Sequence, residues 1–288
     1  MDIMHRQKEG QPGQTQAKQP GIESEMNPLP VQPKEYKGSD KLKGRTALIT
    51  GGDSGIGRAV AMAYAKEGAD VSIVYLDEHS DAEETKAAVE TEGVQCLLLP
   101  GDIKQEAFCK EVVQKTVDHF GKLDILVNNA AIQYVHDSIL DVSAEQLEEV
   151  FQTNFFSVFH ITKAAVPHLK EGSTIINTAS INAYRGHPSL IDYSSTKGAI
   201  VTFTRSMATA LVEQGVRVNT VAPGPIWTPL IPATFPAEGV EKFGTNTPMG
   251  RPGQPSEHAG AYVLLASDES TYMTGQTIHI NGGEYISS

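Results

Sequence analysis

The sequence is poor in cysteine and lacks long apolar runs, and each shortage excludes a class of protein. Two cysteines occur in 288 residues, Cys96 and Cys109, and their spacing fits neither a CxxC pair nor a zinc site. Unpaired thiols are typical of a reducing cytosol, so a cytoplasmic protein is expected. No stretch approaches the ~20 apolar residues of a membrane span, and the first residues contain no apolar core of a signal peptide.

Positive charge is also in deficit. Lysine and arginine number 23 against 35 acidic residues, which gives a net charge of −12. Broad binding to nucleic acid or to an anionic membrane requires a basic face, so neither partner is expected. No cluster of histidine, cysteine and aspartate has metal-ligand spacing. We therefore predict no catalytic metal, although the sequence leaves a structural Mg²⁺ open.

Composition changes sharply near residue 41. Residues 1–40 hold six glutamines, five prolines and four glycines, but a single aromatic residue, Tyr36. Such a segment buries too little apolar surface by itself to offset its ordering entropy, so a flexible or extended N-terminal arm is expected. The short run from Met26 to Val31 could dock onto a folded surface, so a solvated tail and a docked arm both remain open.

From residue 41 onward, short apolar runs alternate with longer helix-like segments. The predicted strands are Thr46–Thr50, Val71–Tyr75, Gln95–Leu99, Ile125–Asn128, Thr174–Thr178, Val216–Val221 and Thr277–Ile280. The predicted helices are Ile56–Glu67, Asp81–Glu92, Gln105–Phe120, Ala144–Lys170, Tyr193–Glu213 and Ser256–Ser267. Strands that are apolar on both faces are typical of parallel sheets covered by helices. We predict one α/β domain over residues 41–288, a Rossmann-type doubly wound parallel sheet of about seven strands with helices on both faces.

A glycine-rich turn joins the first predicted strand to the first predicted helix. Its sequence, GGDSGIG, follows Thr46–Thr50 directly. Glycines allow a sharp turn and let a pyrophosphate approach the amides at the helix N-terminus. Between a strand and a helix, this motif predicts a dinucleotide site. The predicted contacts in the turn are Gly51, Asp53, Ser54, Gly55, Ile56 and Gly57.

The second predicted strand ends near an acidic residue, Asp77. A carboxylate at this point accepts hydrogen bonds from the ribose hydroxyls and repels a 2′-phosphate. No lysine or arginine occurs between Lys66 and Lys86, and the glycine turn carries Asp53. We therefore predict NAD, with NADP disfavoured, whereas an ordinary exposed loop acid is the alternative for Asp77. Further cofactor contacts are predicted where strands end, at Tyr75, Leu76, Asp102, Ile103, Asn128 and Ala130.

A second group of candidates follows downstream. Tyr193 and Lys197 are four residues apart, so they share one helix face. A nearby ammonium lowers the pKa of a phenol from about 10 toward the range useful for acid–base work. Ser180 follows a strand and is expected at the same sheet edge, where its hydroxyl could hold a substrate oxygen. Asn154 is a polar residue among aromatics, for which a structural amide and a water-holding residue are both open.

Together these residues resemble the short-chain dehydrogenase/reductase family over residues 41–288. The resemblance rests on TGxxxGxG from Thr50, on NNA from Asn128, on Asn154, Ser180, YxxxK and Pro223-Gly224. It implies Tyr193 as general acid/base, Ser180 as anchor of the substrate oxygen and Lys197 as ribose ligand. It also implies a relay water at Asn154. The segment around Pro223, Gly224, Ile226 and Thr228 looks like the family's clamp on the nicotinamide. The glucose/ribitol-dehydrogenase-like branch of bacteria is the most similar one, with its N-terminal extension.

The resemblance implies an NAD(P)-dependent oxidoreductase that interconverts an alcohol and a ketone or aldehyde. A small polyol, sugar or carbonyl compound is expected in a pocket under a lid at about residues 225–255, with substrate contacts at Ser180, Tyr193, Gln133, Asn182 and Trp227. Two alternatives remain, an NADP-dependent ketoacyl-type reductase and a non-catalytic dinucleotide sensor. The family also implies a homotetramer.

Overall fold

The first strand, β1 (Thr46–Thr50), is an interior strand of the sheet, and its five side chains are all buried. The computed structural model describes residues 10–286, so the first nine residues of the predicted arm and the last two of the domain lie outside the described residues. β1 pairs in parallel with β2 (Asp70–Tyr75) and with β4 (Ile125–Asn128). The other strands are β3 (Cys96–Pro100), β5 (Thr174–Thr178), β6 (Arg217–Pro223) and β7 (Thr277–Ile280). The order β3-β2-β1-β4-β5-β6-β7, parallel throughout, confirms the predicted fold class.

Helices cover both faces of this sheet. They are α1 (Gly55–Lys66), α2 (His79–Glu90), α3 (Glu106–Phe120), α4 (Ala144–Phe151), α5 (Ser157–Ala165), α6 (Asn182–Arg185), α7 (Ile191–Leu211), α8 (Ala237–Lys242) and α9 (Ser256–Ala266). Because side chains alternate along a strand, Ala47 and Ile49 pack with α1, α2 and α9, while Leu48 packs with α3, α5 and α7. Within residues 10–286, no helix has both the length and the apolarity to cross a bilayer.

The predicted helix Ala144–Lys170 is wrong as a single element. α4 is followed by a π-helical turn, Gln152–Phe156, then by α5 and a 3-10 turn, Val166–His168. Proline at the second position of that last turn donates no backbone hydrogen bond, which ends the regular helix. The helices α6 and α8 were not predicted because four and six residues are too short to show helical periodicity.

The chain crosses the sheet between β3 and β4, which lie on opposite sides of β1. The connections therefore diverge where β1 and β4 end. In open α/β sheets this divergence creates a crevice at the carboxyl edge, where ligands bind.

Residues 10–40 of the arm lie against the domain. Met26 packs with Trp227, whose indole Nε1 donates a hydrogen bond to the carbonyl oxygen of Pro28 at 2.8 Å. The buried carboxylate of Glu23 accepts hydrogen bonds from the amide of Gly55 at 2.6 Å and from Arg58 at 2.9 Å. Of the two alternatives left by the sequence, these residues adopt the docked one, with a short 3-10 turn at Glu23–Glu25.

Candidate active site

A cavity of about 740 Å³ opens at the carboxyl edge of the sheet. Its size lies in the range of small-molecule sites, roughly 300–1,000 Å³. Most of the site residues predicted from sequence line it: Gly51, Asp53, Ser54, Gly55, Ile56, Tyr75, Leu76, Asp102, Ile103, Ala130, Gln133, Ser180, Asn182, Tyr193, Lys197, Pro223, Gly224, Ile226 and Thr228. The fold thus brings together side chains that are up to 177 residues apart in sequence, from Gly51 to Thr228.

The glycine turn forms one end of the cavity. Gly51 and Gly55 have φ angles of +62° and +53°, which L side chains rarely adopt. A Cβ atom on Gly57 would lie 1.8 Å from the carbonyl oxygen of Gly51, so a side chain cannot fit there. The tight turn brings the N-terminus of α1 to the cavity, where the Gly55 amide already bonds Glu23 of the arm and the remaining first-turn amides favour an anion. The residues present therefore fit the pyrophosphate of a dinucleotide.

Tyr193 and Lys197 lie at the other end, both buried on α7. The Nζ of Lys197 is 5.5 Å from the centroid of the Tyr193 ring and donates a hydrogen bond to the carbonyl oxygen of Thr178 at 2.9 Å. Burial raises the pKa of Tyr193 to about 12, against the opposing hydrogen bond with Ser180. Burial likewise lowers the pKa of Lys197 to about 7.

The direction of the Tyr193 shift is opposite to the one predicted from the nearby ammonium. Removal from water disfavours the charged form of each group. The phenolate is disfavoured directly, and the lysine loses part of its own charge near neutral pH. Burial is the main cause of both shifts.

Ser180 completes this end of the cavity. Its Oγ accepts a hydrogen bond from the amide of Asn182 at 3.1 Å, which fixes the hydroxyl at the start of α6. Ser180 and Tyr193 both line the cavity, and the Ser180 hydroxyl opposes the rise in the pKa of the phenol. Two hydroxyl groups therefore meet at one point of the cavity wall, beside the buried amine of Lys197.

Asn154 is fully buried and does not line the cavity. Its side-chain oxygen accepts from the amide of Ile132 at 2.9 Å, and its nitrogen donates to the carbonyl oxygen of Ile132 at 2.8 Å and to Thr196 at 3.2 Å. The side chain holds the loop after β4, whose residues do line the cavity. The protein itself satisfies this amide, so the predicted relay water has no support from the side chain and stays a prediction.

Asn128 and Trp227, two further predicted contacts, do not line the cavity. Asn128 is buried in the sheet, where its Nδ2 donates to Asn177 at 2.8 Å and to Thr162 at 3.2 Å. Trp227 is fully buried under the arm and is absent from the cavity wall. Trp227 packs instead in a buried cluster with Met26, Ile231 and Val240.

The region just after β2, where the ribose was predicted to bind, differs most from the sequence-based prediction. Asp77 forms an ion pair with Lys18, a residue of the arm. The buried side chain that lines the cavity here is Glu78, whose pKa burial raises to about 7. No lysine or arginine is adjacent to Asp77 in sequence, but Lys18 of the arm lies beside it in the fold.

Sequence reasoning missed the arm residues at the cavity, Ala17, Lys18, Gln19 and Pro20. Lys18 and Asp77 are 59 residues apart, and no motif links them. It also missed Glu149, which accepts a hydrogen bond from the Tyr134 hydroxyl at 3.2 Å. Within residues 10–286, no group of three or more histidine, cysteine, aspartate or glutamate side chains is placed to hold a metal ion.

Comparisons with known proteins agree with this geometry. A family model described as enoyl-(acyl carrier protein) reductase matches residues 51–284. The oxidoreductase YhdF of Bacillus subtilis (strain 168) is 70% identical over 289 aligned residues, which cover 100% of both proteins. The glucose and ribitol dehydrogenase of Daucus carota is 48% identical over 96% of this chain and 97% of its own. A crystal structure of a short-chain dehydrogenase from Burkholderia cenocepacia J2315 in complex with NADP has a TM-score of 0.80 and 29% identity, over 85% of this chain and 99% of that one.

Proposed function

Because the chain belongs to the short-chain dehydrogenase/reductase family, we propose that it interconverts an alcohol and a ketone or aldehyde by hydride transfer with a nicotinamide dinucleotide. The observation that carries the proposal is the meeting of Tyr193 and Ser180 at the cavity wall beside buried Lys197. An acid–base hydroxyl next to a second hydroxyl suits a reaction in which a substrate oxygen gains or loses a proton.

The chemistry divides between cofactor and protein. The bound nicotinamide would supply or accept the hydride. Tyr193 would transfer the proton at the substrate oxygen, and Ser180 would donate a hydrogen bond to the same oxygen. Lys197 uses one N–H for the carbonyl of Thr178, so its remaining N–H groups are available to a ribose hydroxyl. Thr228 lies beside the glycine turn, with its Cγ2 3.1 Å from where a Cβ on Gly55 would be, so the turn and the segment after β6 would hold the dinucleotide from adjoining walls.

NAD is the cofactor that the acids near the end of β2 favour. Asp77 and Glu78 follow β2, and Glu78 faces the cavity, where carboxylates suit a ribose diol better than a phosphate. Two observations favour NADP instead: Lys18 lies beside Asp77, and the Burkholderia relative was crystallised with NADP. An NADP-dependent carbonyl reductase is therefore the second candidate.

The substrate end of the cavity has mixed polarity. Gln133, Asn182 and His187 contribute polar groups, and Ile181 and Phe235 contribute apolar surface. This wall suits a small polyol, sugar or hydroxy-carbonyl compound, the class that the name of the carrot relative also indicates. Residues 228–231 and 233–235, which follow β6, line the cavity and form part of the proposed lid.

We also propose that the chain forms homo-oligomers through the outer surfaces of α5 and α7. Phe159 is exposed on α5 and lies with its ring centroid 5.7 Å from that of Phe203 on α7. Phe156, in the π-helical turn, is also exposed. Adjacent exposed aromatic rings are enriched where proteins associate, and the family resemblance implies a tetramer.

The decisive experiment measures nicotinamide absorbance with a panel of polyols, sugars, alcohols and aldehydes, each with NAD(H) and NADP(H). We expect turnover of at least one substrate class, and its loss in the Tyr193→Phe variant. Tight dinucleotide binding without turnover of any substrate would instead favour a dinucleotide sensor.

A further inference from the structure

Two consecutive residues of the arm contact opposite sides of the dinucleotide crevice. Lys18 pairs with Asp77, just after β2. Gln19 accepts a hydrogen bond from the amide of Gln133, after β4, at 2.9 Å and donates another to the carbonyl oxygen of that residue. β1 lies between β2 and β4. The arm therefore crosses the crevice next to the glycine turn that follows β1.

The chain on both sides of Lys18 is fixed to the domain. The amide of Gln16 donates a hydrogen bond to the carbonyl oxygen of Pro232 at 2.8 Å. The carboxylate of Glu23 is buried and bonded to Gly55 and Arg58. Lys18 is thus held over the crevice by its neighbours, although its own side chain is 64% exposed.

Lys18 is the cation placed beside the acids that would read the ribose. Asp77 and Glu78 act on Lys18 from the end of β2, and Glu78 lines the cavity together with buried Asp53 of the glycine turn. Lys104 also lines the cavity, but its Nζ is 3.1 Å from Glu149 and 3.6 Å from Asp102. The side chain of Asp77 is 48% exposed, so it can turn toward solvent and release the ammonium.

We propose that Lys18 is a specificity-determining residue that admits a 2′-phosphate, so that the chain binds NADP(H) as well as NAD(H). A phosphate monoester carries close to two negative charges at neutral pH, and a lysine ammonium binds it as a point charge. Without Lys18 the same phosphate would meet the carboxylates of Asp77 and Glu78 with no lysine to offset them. The inference rests on the dinucleotide site of the proposed function, and it assigns to the arm the selection between the two cofactors.

The test compares dissociation constants of NADP⁺ and NAD⁺ for the full chain by isothermal titration calorimetry. In Lys18→Ala we expect NADP⁺ to bind about tenfold more weakly, equivalent to about 1.4 kcal/mol, and NAD⁺ to change less than about twofold. Lys18→Arg keeps the positive charge and should retain most of the NADP⁺ affinity. Lys34→Ala, an exposed lysine elsewhere in the arm, is the matched control and should change neither constant.

Three outcomes would overturn the proposal: equal weakening of both dinucleotides in Lys18→Ala, no change in either, or a wild-type chain that binds NAD⁺ but not NADP⁺. Equal weakening would mean that the arm covers the site without distinguishing between the two dinucleotides. The proposed function fails separately. If the wild type binds both dinucleotides but turns over no substrate, hydride transfer is rejected, while the ratio of dissociation constants still decides the role of Lys18.

Discussion

The two ends of the candidate dinucleotide cavity are built on different physical principles. At the reacting end, Tyr193 and Lys197 are 8% and 2% exposed, and burial controls the pKa of each. At the ribose end, Lys18 and Asp77 form an ion pair whose side chains are 64% and 48% exposed. Water and salt weaken an exposed pair, whereas they do not reach a buried one. In the proposed function, the residues that transfer the proton are therefore buried inside the domain, whereas the residues that select the cofactor are exposed at its surface.

The largest effect is expected on kcat, from a variant that changes only the reacting end of the cavity. Tyr193→Phe removes the hydroxyl that would carry the proton, and general acid–base catalysis contributes roughly 10²–10⁴-fold to a rate. We expect kcat to fall by about a thousandfold, while the dissociation constant of NAD⁺ changes less than about threefold.

Tyr184→Phe is the matched control, because the Tyr184 hydroxyl donates to Thr277 at 2.8 Å and does not line the cavity. Its kcat should stay near that of the wild type. Substantial activity in Tyr193→Phe would contradict the assignment of Tyr193 as the acid/base.

The second largest effect is expected from a variant that weakens the contact between the arm and the ribose end of the cavity. Glu23→Ala leaves the buried guanidinium of Arg58 without this carboxylate, and breaking a buried pair typically costs about 3–5 kcal/mol. We expect a loss of about 3 kcal/mol in the free energy of unfolding, or release of the arm. Because Trp227 is the single tryptophan and donates to Pro28 of the arm, release should shift its fluorescence emission to the red.

Glu25→Ala alters an exposed carboxylate two residues along the arm and should leave both stability and emission unchanged. An unchanged emission maximum together with unchanged stability in Glu23→Ala would show that Glu23 does not hold the arm.

The smallest effect concerns Lys197 and sharpens the claim that burial governs the reacting end. The lysine pKa is 10.5 when unfolded and about 7 in the fold. Between these values the unfolded chain binds a proton that the native chain has released, so native stability rises with pH. From pH 7 to 9 we expect the free energy of unfolding of the wild type, relative to Lys197→Met, to rise by up to about 2 kcal/mol.

Denaturant unfolding of both variants at each pH measures this difference, since the other titrating groups are common to the two chains. A difference that is constant across the range would mean that Lys197 keeps its proton in the fold. The buried ammonium would then be available to stabilise the Tyr193 phenolate, as the sequence-based reasoning assumed.

Local patterns predicted the sheet and the glycine turn well. β1, β4, β5 and β7 have the predicted bounds, because short apolar runs between turn residues are typical of buried parallel strands. The spacing of Tyr193 and Lys197 placed both on one face of α7, and both line the cavity. Helical spacing is a local property, so no tertiary information was needed for it.

The predictions that failed concern residues whose surroundings are set by distant parts of the chain. The single long helix predicted around Asn154 is broken by a π-helical turn, and Trp227 packs with Met26 and bonds Pro28 of the arm rather than lining the cavity. The sign of the Tyr193 shift also failed, because the extent of burial depends on the whole fold.

By itself, the sequence determined the order of strands and helices, the glycine turn and the pairing of Tyr193 with Lys197, since each depends on residues close together in the chain. Only the tertiary structure decided where the arm lies, which acid faces the cavity and that Lys18 stands beside Asp77. The physical reason is that contacts across 59 residues leave no periodicity in the sequence. They form when packing and charge bring the two segments together.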